Sequence, residues 1–449
     1  MSDLEAALAG AEAAWNLDGL RAAPLCDHCL GRLAAKRGKG TNADRGRLMR
    51  PRVQVDSAPC GVCAGLFDSL DVLARLAADA LGAYEFSTFS IGTRVDPAIA
   101  IAEETAWQRA AVTEQETVKA ELNREIGKRV EALTGKPADT KRPHVTAIVD
   151  TQFHMVDLTV APVYFRGRYR KLSREIPQTR WPCRVCGGRG CARCGGTGKM
   201  YPTSVEEIVA APLMAALGGE SHALHGMGRE DIDARMLGRG RPFVIEIASP
   251  RRRTADTAAA VAVIRASGSV EVDALEPCAP DLVQRLKEDR ADKTYAVTVS
   301  GSSIEEGKVQ EGLAALLAAP IEQRTPARVS HRRADAVRVR HVRSARLTSC
   351  DGAGFTLEVT AEAGTYIKEL VHGDGGRTRP SLAGLLGVPL AVLALDVLEV
   401  HTEEEPWLRP RRASCRGRGR SSAGTPASAG SRRSRAPCRR SRSGSAPSS

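Results

Sequence analysis

The sequence predicts an α+β fold whose main sheet is mixed, largely antiparallel and built in two halves, with a smaller α/β segment and cysteine knuckles before it. Three observations carry this. Between residues 205 and 400, strand-like runs (243–249, 269–275, 294–300, 355–360) alternate with helical patterns (205–217, 304–318), and 393–400 reads as a closing strand. Upstream, 114–134 sets Val118, Leu122, Ile126, Val130 and Leu133 at near-helical spacing before two β-rich runs, 145–150 and 155–165. Eight of the 12 cysteines fall into four Cys-x-x-Cys motifs.

Along the chain, residues 1–80 read as helix, knuckle, basic loop, knuckle and helix. Cys26 and Cys29 pair with Cys60 and Cys63, and Cys183 and Cys186 with Cys191 and Cys194. Each two-residue gap aims two thiolates at one cation, and two knuckles complete a tetrahedral site. Glycines at 187, 188, 190, 195, 196 and 198 allow the tight turns. Two structural zinc ions are expected, with no spare position for water and hence no chemical step. Residues 85–204 form the α/β domain carrying the second cluster, 205–402 the main domain, and 403–449 an Arg/Ser-rich tail expected to be disordered. Cys278, Cys350, Cys415 and Cys438 are left over as packing or tail residues.

The net charge of +12 misleads. Residues 409–449 hold twelve arginines and no acid, so the rest balances 53 basic against 53 acidic residues. Nucleic-acid binding by the body therefore needs local patches, for which 166–174, 251–253 and 328–343 are candidates. The tail reads as a frameshifted or unselected extension rather than as an RNA-binding arm. No run of eighteen apolar residues occurs and the start is acidic, so a cytoplasmic protein without a membrane partner is expected. No obligate protein partner is implied, and a monomer is expected.

Residues 228–243 are the most informative stretch. Asp231 and Asp233 lie among Arg229, Arg235, Arg239 and Arg241, and glycines at 226, 228, 238 and 240 predict irregular backbone. Guanidiniums favour the ionised form of a neighbouring carboxylate and clamp phosphates in bidentate fashion. That combination suits a carboxylate nucleophile acting on a polyanion. A strand at 293–300 sets Tyr295, Val297 and Val299 on one face. Further on, Thr365 reads as the N-cap of a short helix within Gly364-Thr-Tyr-Ile-Lys-Glu-Leu, which runs on to Gly-Asp-Gly-Gly-Arg-Thr.

Gly228-Arg-Glu-Asp231 resembles the Gly-Arg-x-Asp element of pseudouridine synthases. Together with the later string and Cys26 to Arg32, the chain is similar to the archaeal and eukaryotic family that makes pseudouridine at positions 54 and 55 of the tRNA TψC arm. The resemblance implies that Asp231 is the nucleophile, with Asp233 the lesser candidate. It implies that Tyr295 stacks on the target uracil, that Tyr366 contacts the base, and that Lys368 and Leu370 line the pocket. Arg229 or Arg235 would pair with Asp231 and then reach the flipped nucleotide's backbone. The helix-then-strands pattern before the main domain resembles a THUMP domain, implying a grip on tRNA away from the target base. No organic cofactor is implied. A THUMP-bearing methyltransferase or thiolase would need a Gly-rich strand-to-helix loop, absent in a suitable context; a non-catalytic zinc and RNA-binding protein would leave Asp231, Tyr295 and Tyr366 unexplained.

Overall fold

The computed structural model describes residues 2–113, 115–330 and 334–402. The Arg/Ser-rich tail lies outside these residues. Two hydrophobic cores organise the described chain, one drawn from residues between Leu8 and Val149, the other between Phe165 and Val400.

In the first, the helix Asn42–Val53 starts at a Thr41–Asp44 capping box, and the helix Leu70–Leu81 buries Leu70, Leu73, Ala74, Ala77 and Leu81. The predicted helix at 114–134 is found as Val118–Thr134, because the Thr117 hydroxyl accepts from the Ala120 N–H and fixes its start. It packs on a three-stranded sheet of β1 (Phe89–Arg94), β2 (Val145–Asp150) and β3 (Met155–Val160), in which β1 and β2 are parallel and β2 and β3 antiparallel.

The large sheet contains β4 (Val163–Lys171), β5 (Ser221–Gly226), β6 (Arg235–Ala248), β7 (Val270–Val272), β8 (Glu276–Pro277) and β9 (Lys293–Gly301). A small sheet follows, from β10 (Ile321–Arg324) and β11 (Val337–Arg340). The large sheet continues with β12 (Val342–Asp351) and β13 (Gly354–Ala361); β14 (Thr378–Arg379) joins β10, and β15 (Leu390–Val400) returns to the large sheet. Its order is β12-β13-β9-β15-β6-β4-β7, with β5 on β6 and β8 on β4. Every pairing is antiparallel except β15 with β6. That contact has just two residue pairs, Asp396 with Arg235 and Val397 with Met236. The sheet is therefore mixed and largely antiparallel, in two halves joined at a short seam.

Three sequence expectations change here. The strand at 163–171, grouped on sequence with the first α/β domain, lies inside the large sheet. Residues 235–243 are not irregular but open β6, and a register shift of β6 against β4 sets residues 237–240 out of the ladder. Gly238 and Gly240 make this possible at φ +57° and +77°; a Cβ on Gly238 would lie 1.9 Å from the Leu398 carbonyl oxygen. Thr365 is not the cap of its helix, which runs Ile367–His372 from Tyr366; its hydroxyl donates to the Glu362 carbonyl instead.

The Arg251–Arg253 triplet, a candidate nucleic-acid patch, braces the junction of the two cores. The Arg251 guanidinium lies over Tyr84 and its carbonyl accepts from the Glu85 N–H, while Arg253 donates to the Ala161 carbonyl. The run at 166–174 is likewise engaged internally. Arg166 pairs with Glu276, Arg170 with Glu271 and Asp273, and Arg174 with Asp396.

Candidate active site

Asp231 sits in the loop between β5 and β6, just before the seam. Beneath it lies a buried polar network. Glu230, whose side chain is 0 % exposed, accepts from Arg241 at 2.9 Å and from the Tyr169 hydroxyl at 2.9 Å. Gln178 donates to Tyr169 and to the Gly228 carbonyl, and Arg241 donates to the Met227 carbonyl. Buried Lys171 donates to the carbonyls of Ile176, Asp231 and Ile232 at 3.0, 3.2 and 2.6 Å. A buried charge persists only when paired or fully hydrogen-bonded, so these contacts hold the loop in one conformation. Burial pushes the Lys171 ammonium down to about 8.

The Asp231 carboxylate meets Arg328 at 3.2 Å and Lys368 at 3.4 Å. Lys368 also grips Asp233 at 2.8 Å. Burial acts against ionisation of Asp233, but the hydrogen bond and charge of Lys368 hold it below the usual carboxylate range. Buried Glu369 accepts from Arg328 at 2.7 Å and so aims that guanidinium at Asp231. Consecutive residues of one helix, Lys368 and Glu369, thus act on the aspartate directly and through Arg328.

Tyr295 lies on β9 between Val359 of β13 and Val397 of β15. Burial pushes its phenol up to about 12, against the pull of Arg241 and with a smaller push from Asp231. Lys293, on the same strand, is pushed down to about 8 by burial and by Arg241. Tyr366 is half-buried, and Gln323 clamps its backbone N–H and carbonyl, each at 2.9 Å.

Of the two arginines expected to pair with Asp231, Arg235 needs correcting. Arg235 binds Asp396 at 2.6 Å, Arg239 binds Glu399, and Arg241 binds Glu230. Arg229 lies over the Trp181 ring at 5.3 Å. Leu370 is 1 % exposed and packs in the core behind the helix. Arg328 is visible in sequence only as one member of a basic run. Nothing local announces its role, since its partners are 97 and 41 residues away.

The two cysteine sets each assemble with all four Sγ atoms within 4.8 Å of one another, and each can hold a metal ion. Measured Sγ–Sγ separations are 3.6 Å for Cys26–Cys63, 4.0 Å for Cys183–Cys191 and 3.7 Å for Cys191–Cys194. A tetrahedron with metal–sulfur bonds of about 2.3 Å has edges of about 3.8 Å, whereas a disulfide needs about 2.0 Å. Around the first set, Arg32 donates to Cys29 Sγ at 3.1 Å and is itself held by Glu103 and Glu121. No helix among the described residues is long and apolar enough to cross a membrane.

Known proteins resemble this chain along most of its length. The family model described as Pus10, C-terminal matches residues 164–401, and that described as Pus10 THUMP domain, archaeal matches 73–150. The tRNA pseudouridine synthase Pus10 of Methanothrix thermoacetophila is 42% identical over 419 residues, covering 85% of this chain and 92% of that protein. The protein of the same name from Halorubrum lacusprofundi is 42% identical over 407 residues, covering 86% and 95%. A solved Cbf5-Nop10-Gar1 complex aligns over 44% of this chain and 45% of that one, with 20% identity and a TM-score of 0.29. The class is that of pseudouridine synthases carrying an archaeal-type THUMP domain. The chain belongs to the Pus10 family, whose relatives here are named tRNA pseudouridine synthases.

Proposed function

We propose that the protein isomerises uridine to pseudouridine in the TψC arm of tRNA, at positions 54 and 55, with Asp231 as the nucleophile. The observation that carries this reading is the Asp231 loop itself. Its backbone is locked from below by Lys171 and the Glu230 network, while its carboxylate faces Lys368 and Arg328. Such rigidity is what positioning at a reacting sugar requires.

In the reaction the N1–C1′ bond breaks, the uracil turns, and a C5–C1′ bond forms. C5 loses a proton and N1 gains one, so there is no redox change. Asp231 acts either by adding to C1′ or by taking a proton from C2′. The target nucleotide must leave its stack to reach the loop. Tyr295, with its phenol held neutral by burial, and Tyr366 would form the walls against the base. Lys368 and Arg328 neutralise the carboxylate, which lowers the repulsion met by an incoming phosphate backbone. Tetrahedral four-cysteine sets are the donor chemistry of structural zinc, so two zinc ions would fix the knuckles without entering the reaction.

The test is to incubate the protein with unmodified tRNA transcripts and map pseudouridine by position. Product at 54 and 55, absent with Asp231→Asn, is expected. Product elsewhere, or equal product from the variant, overturns the reading.

A further inference from the structure

We propose that the second cysteine knuckle, residues 183–198, is a phosphate-gripping finger for the RNA strand next to the target nucleotide. The inference rests on the proposed RNA substrate but names a surface that the catalytic reading does not use.

Four observations converge. The knuckle carries Arg184, Arg189 and Arg193, all exposed, and the chain from 176 to 205 contains no aspartate or glutamate. Elsewhere on the large domain, many exposed or half-exposed arginines meet acids, although Arg252, Arg265, Arg290 and Arg379 are not among them. Arg166, Arg170, Arg174, Arg235, Arg239, Arg324, Arg343 and Arg346 all have an acidic partner. The knuckle arginines have no acidic partner among the described residues; Arg189 donates to the Cys186 carbonyl, which holds its stem against the turn. Three exposed arginines concentrated on one acid-free turn present the kind of positive charge that a polyanion fits.

The finger is also placed beside the chemistry. Trp181, at its base, stacks under Arg229, two residues before Asp231, and meets Tyr201 edge-on at 5.8 Å. Gln178, three residues earlier, holds the Gly228 carbonyl. A bridge between Pro182 and Lys199 closes the base, and Lys199 pairs with Glu207 on the helix Val205–Leu217. The four-cysteine cluster makes the turns rigid, with backbone N–H groups of Gly190 and Gly198 donating to Cys186 and Cys194 at 3.2 Å. The base of the knuckle is thus anchored on the loop that carries Asp231, so the phosphates its arginines contact would belong to the strand around the flipped uridine.

The experiment compares wild type with a combined Arg184→Gln, Arg189→Gln, Arg193→Gln variant and a matching triple lysine variant, all as full chains. Dissociation constants are measured against salt for an unmodified tRNA transcript and for its isolated T-arm stem-loop. The glutamine variant should weaken binding of both RNAs about tenfold. It should flatten the salt slope by about two, as expected for loss of two to three phosphate contacts at roughly 0.7–0.9 each. Its single-turnover rate at saturating RNA should equal that of wild type, and the lysine variant should recover affinity and slope. Unchanged affinity and slope overturn the proposal, and so does weakening confined to the full tRNA or a defect that lysine fails to rescue. The binding readout needs no product. Absence of pseudouridine with wild type would sink the proposed reaction, whereas normal product with an unchanged slope would sink only the finger.

Discussion

Asp231 and Asp233 share Lys368, and their surroundings set their roles apart. Asp233 is two-thirds exposed and is bonded directly by Lys368, with Arg328 acting on it only at longer range, while Asp231 also meets Arg328 directly, whose direction is fixed by buried Glu369. Asp231→Asn should abolish pseudouridine formation while leaving the tRNA dissociation constant within about threefold; Asp233→Ala should keep turning over. A dead Asp233→Ala beside an active Asp231→Ala would reverse the assignment. Lys171 gives a second residue-level prediction, read against pH. Its folded value, about 8, lies below the ordinary lysine value, so the cost of burying its charge is fully present below pH 8. As pH rises from 8 toward 10 the folded state sheds its proton before the unfolded state does, and stability should rise by about 1–2 kcal/mol for this group. Activity should move the other way, because a neutral amine has two N–H groups for three carbonyls and no charge. Denaturant titrations and single-turnover rates between pH 7 and 9.5 test this. An alkaline fall in rate that persists unchanged in Lys171→Met would remove Lys171 from the account.

At the scale of elements, β6 does the positioning. Its first two residues join the halves of the sheet, its bulge at 237–240 lifts the chain over β15, and its later part builds the core. Gly238→Ala would set a methyl against the Leu398 carbonyl at a positive φ, and should cost about 3 kcal/mol or more by chemical denaturation. Glu230→Gln leaves Arg241 as an uncompensated buried charge, which should cost about 3–5 kcal/mol and lower the rate through the loop above it. A stable, fully active Glu230→Gln variant would refute the lock. How much of this the sequence discloses follows from how each element is built. Residues 294–300 and 355–360 alternate cleanly because one face of each strand packs on the core, so both strands are legible. The Val205–Leu217 helix matches because Ser204 caps it and Gly218 ends it. Residues 235–240 read as loop because glycines and arginines mask a strand whose pairing comes from β15, about 160 residues away. The same separation explains the site. Asp231, Tyr295, Tyr366 and Lys368 can be named from motifs, whereas Arg328, Glu369 and Lys171 act through contacts that only the folded chain creates.

For the whole molecule, the first knuckle is built into the N-terminal core, so a metal bound there would be coupled to folding. Cys29, Cys60 and Cys63 are buried among Leu25, Leu30 and Phe67, so the first set is part of the N-terminal core and not an appendage. Purified protein should carry close to two zinc ions, and chelation should melt the N-terminal core first, because binding energy at such sites is folding energy. Elemental analysis finding no metal, or disulfides at these cysteines, would defeat this. The last prediction concerns the twelve arginines of the tail, which lie outside the described residues. The body is neutral in total, and many of its arginines are paired with acids, so its grip on RNA must come from placed groups. A tail rich in arginine adds phosphate contacts that steepen salt dependence without choosing a sequence. Truncation after Leu408 should therefore keep modification at the same positions and remove mainly the salt-sensitive, non-specific binding. Pseudouridine yield measured against salt for the full and truncated chains decides it. If the truncated chain loses site-specific activity even at low salt, the tail works in substrate capture and the placed groups of the body are insufficient alone.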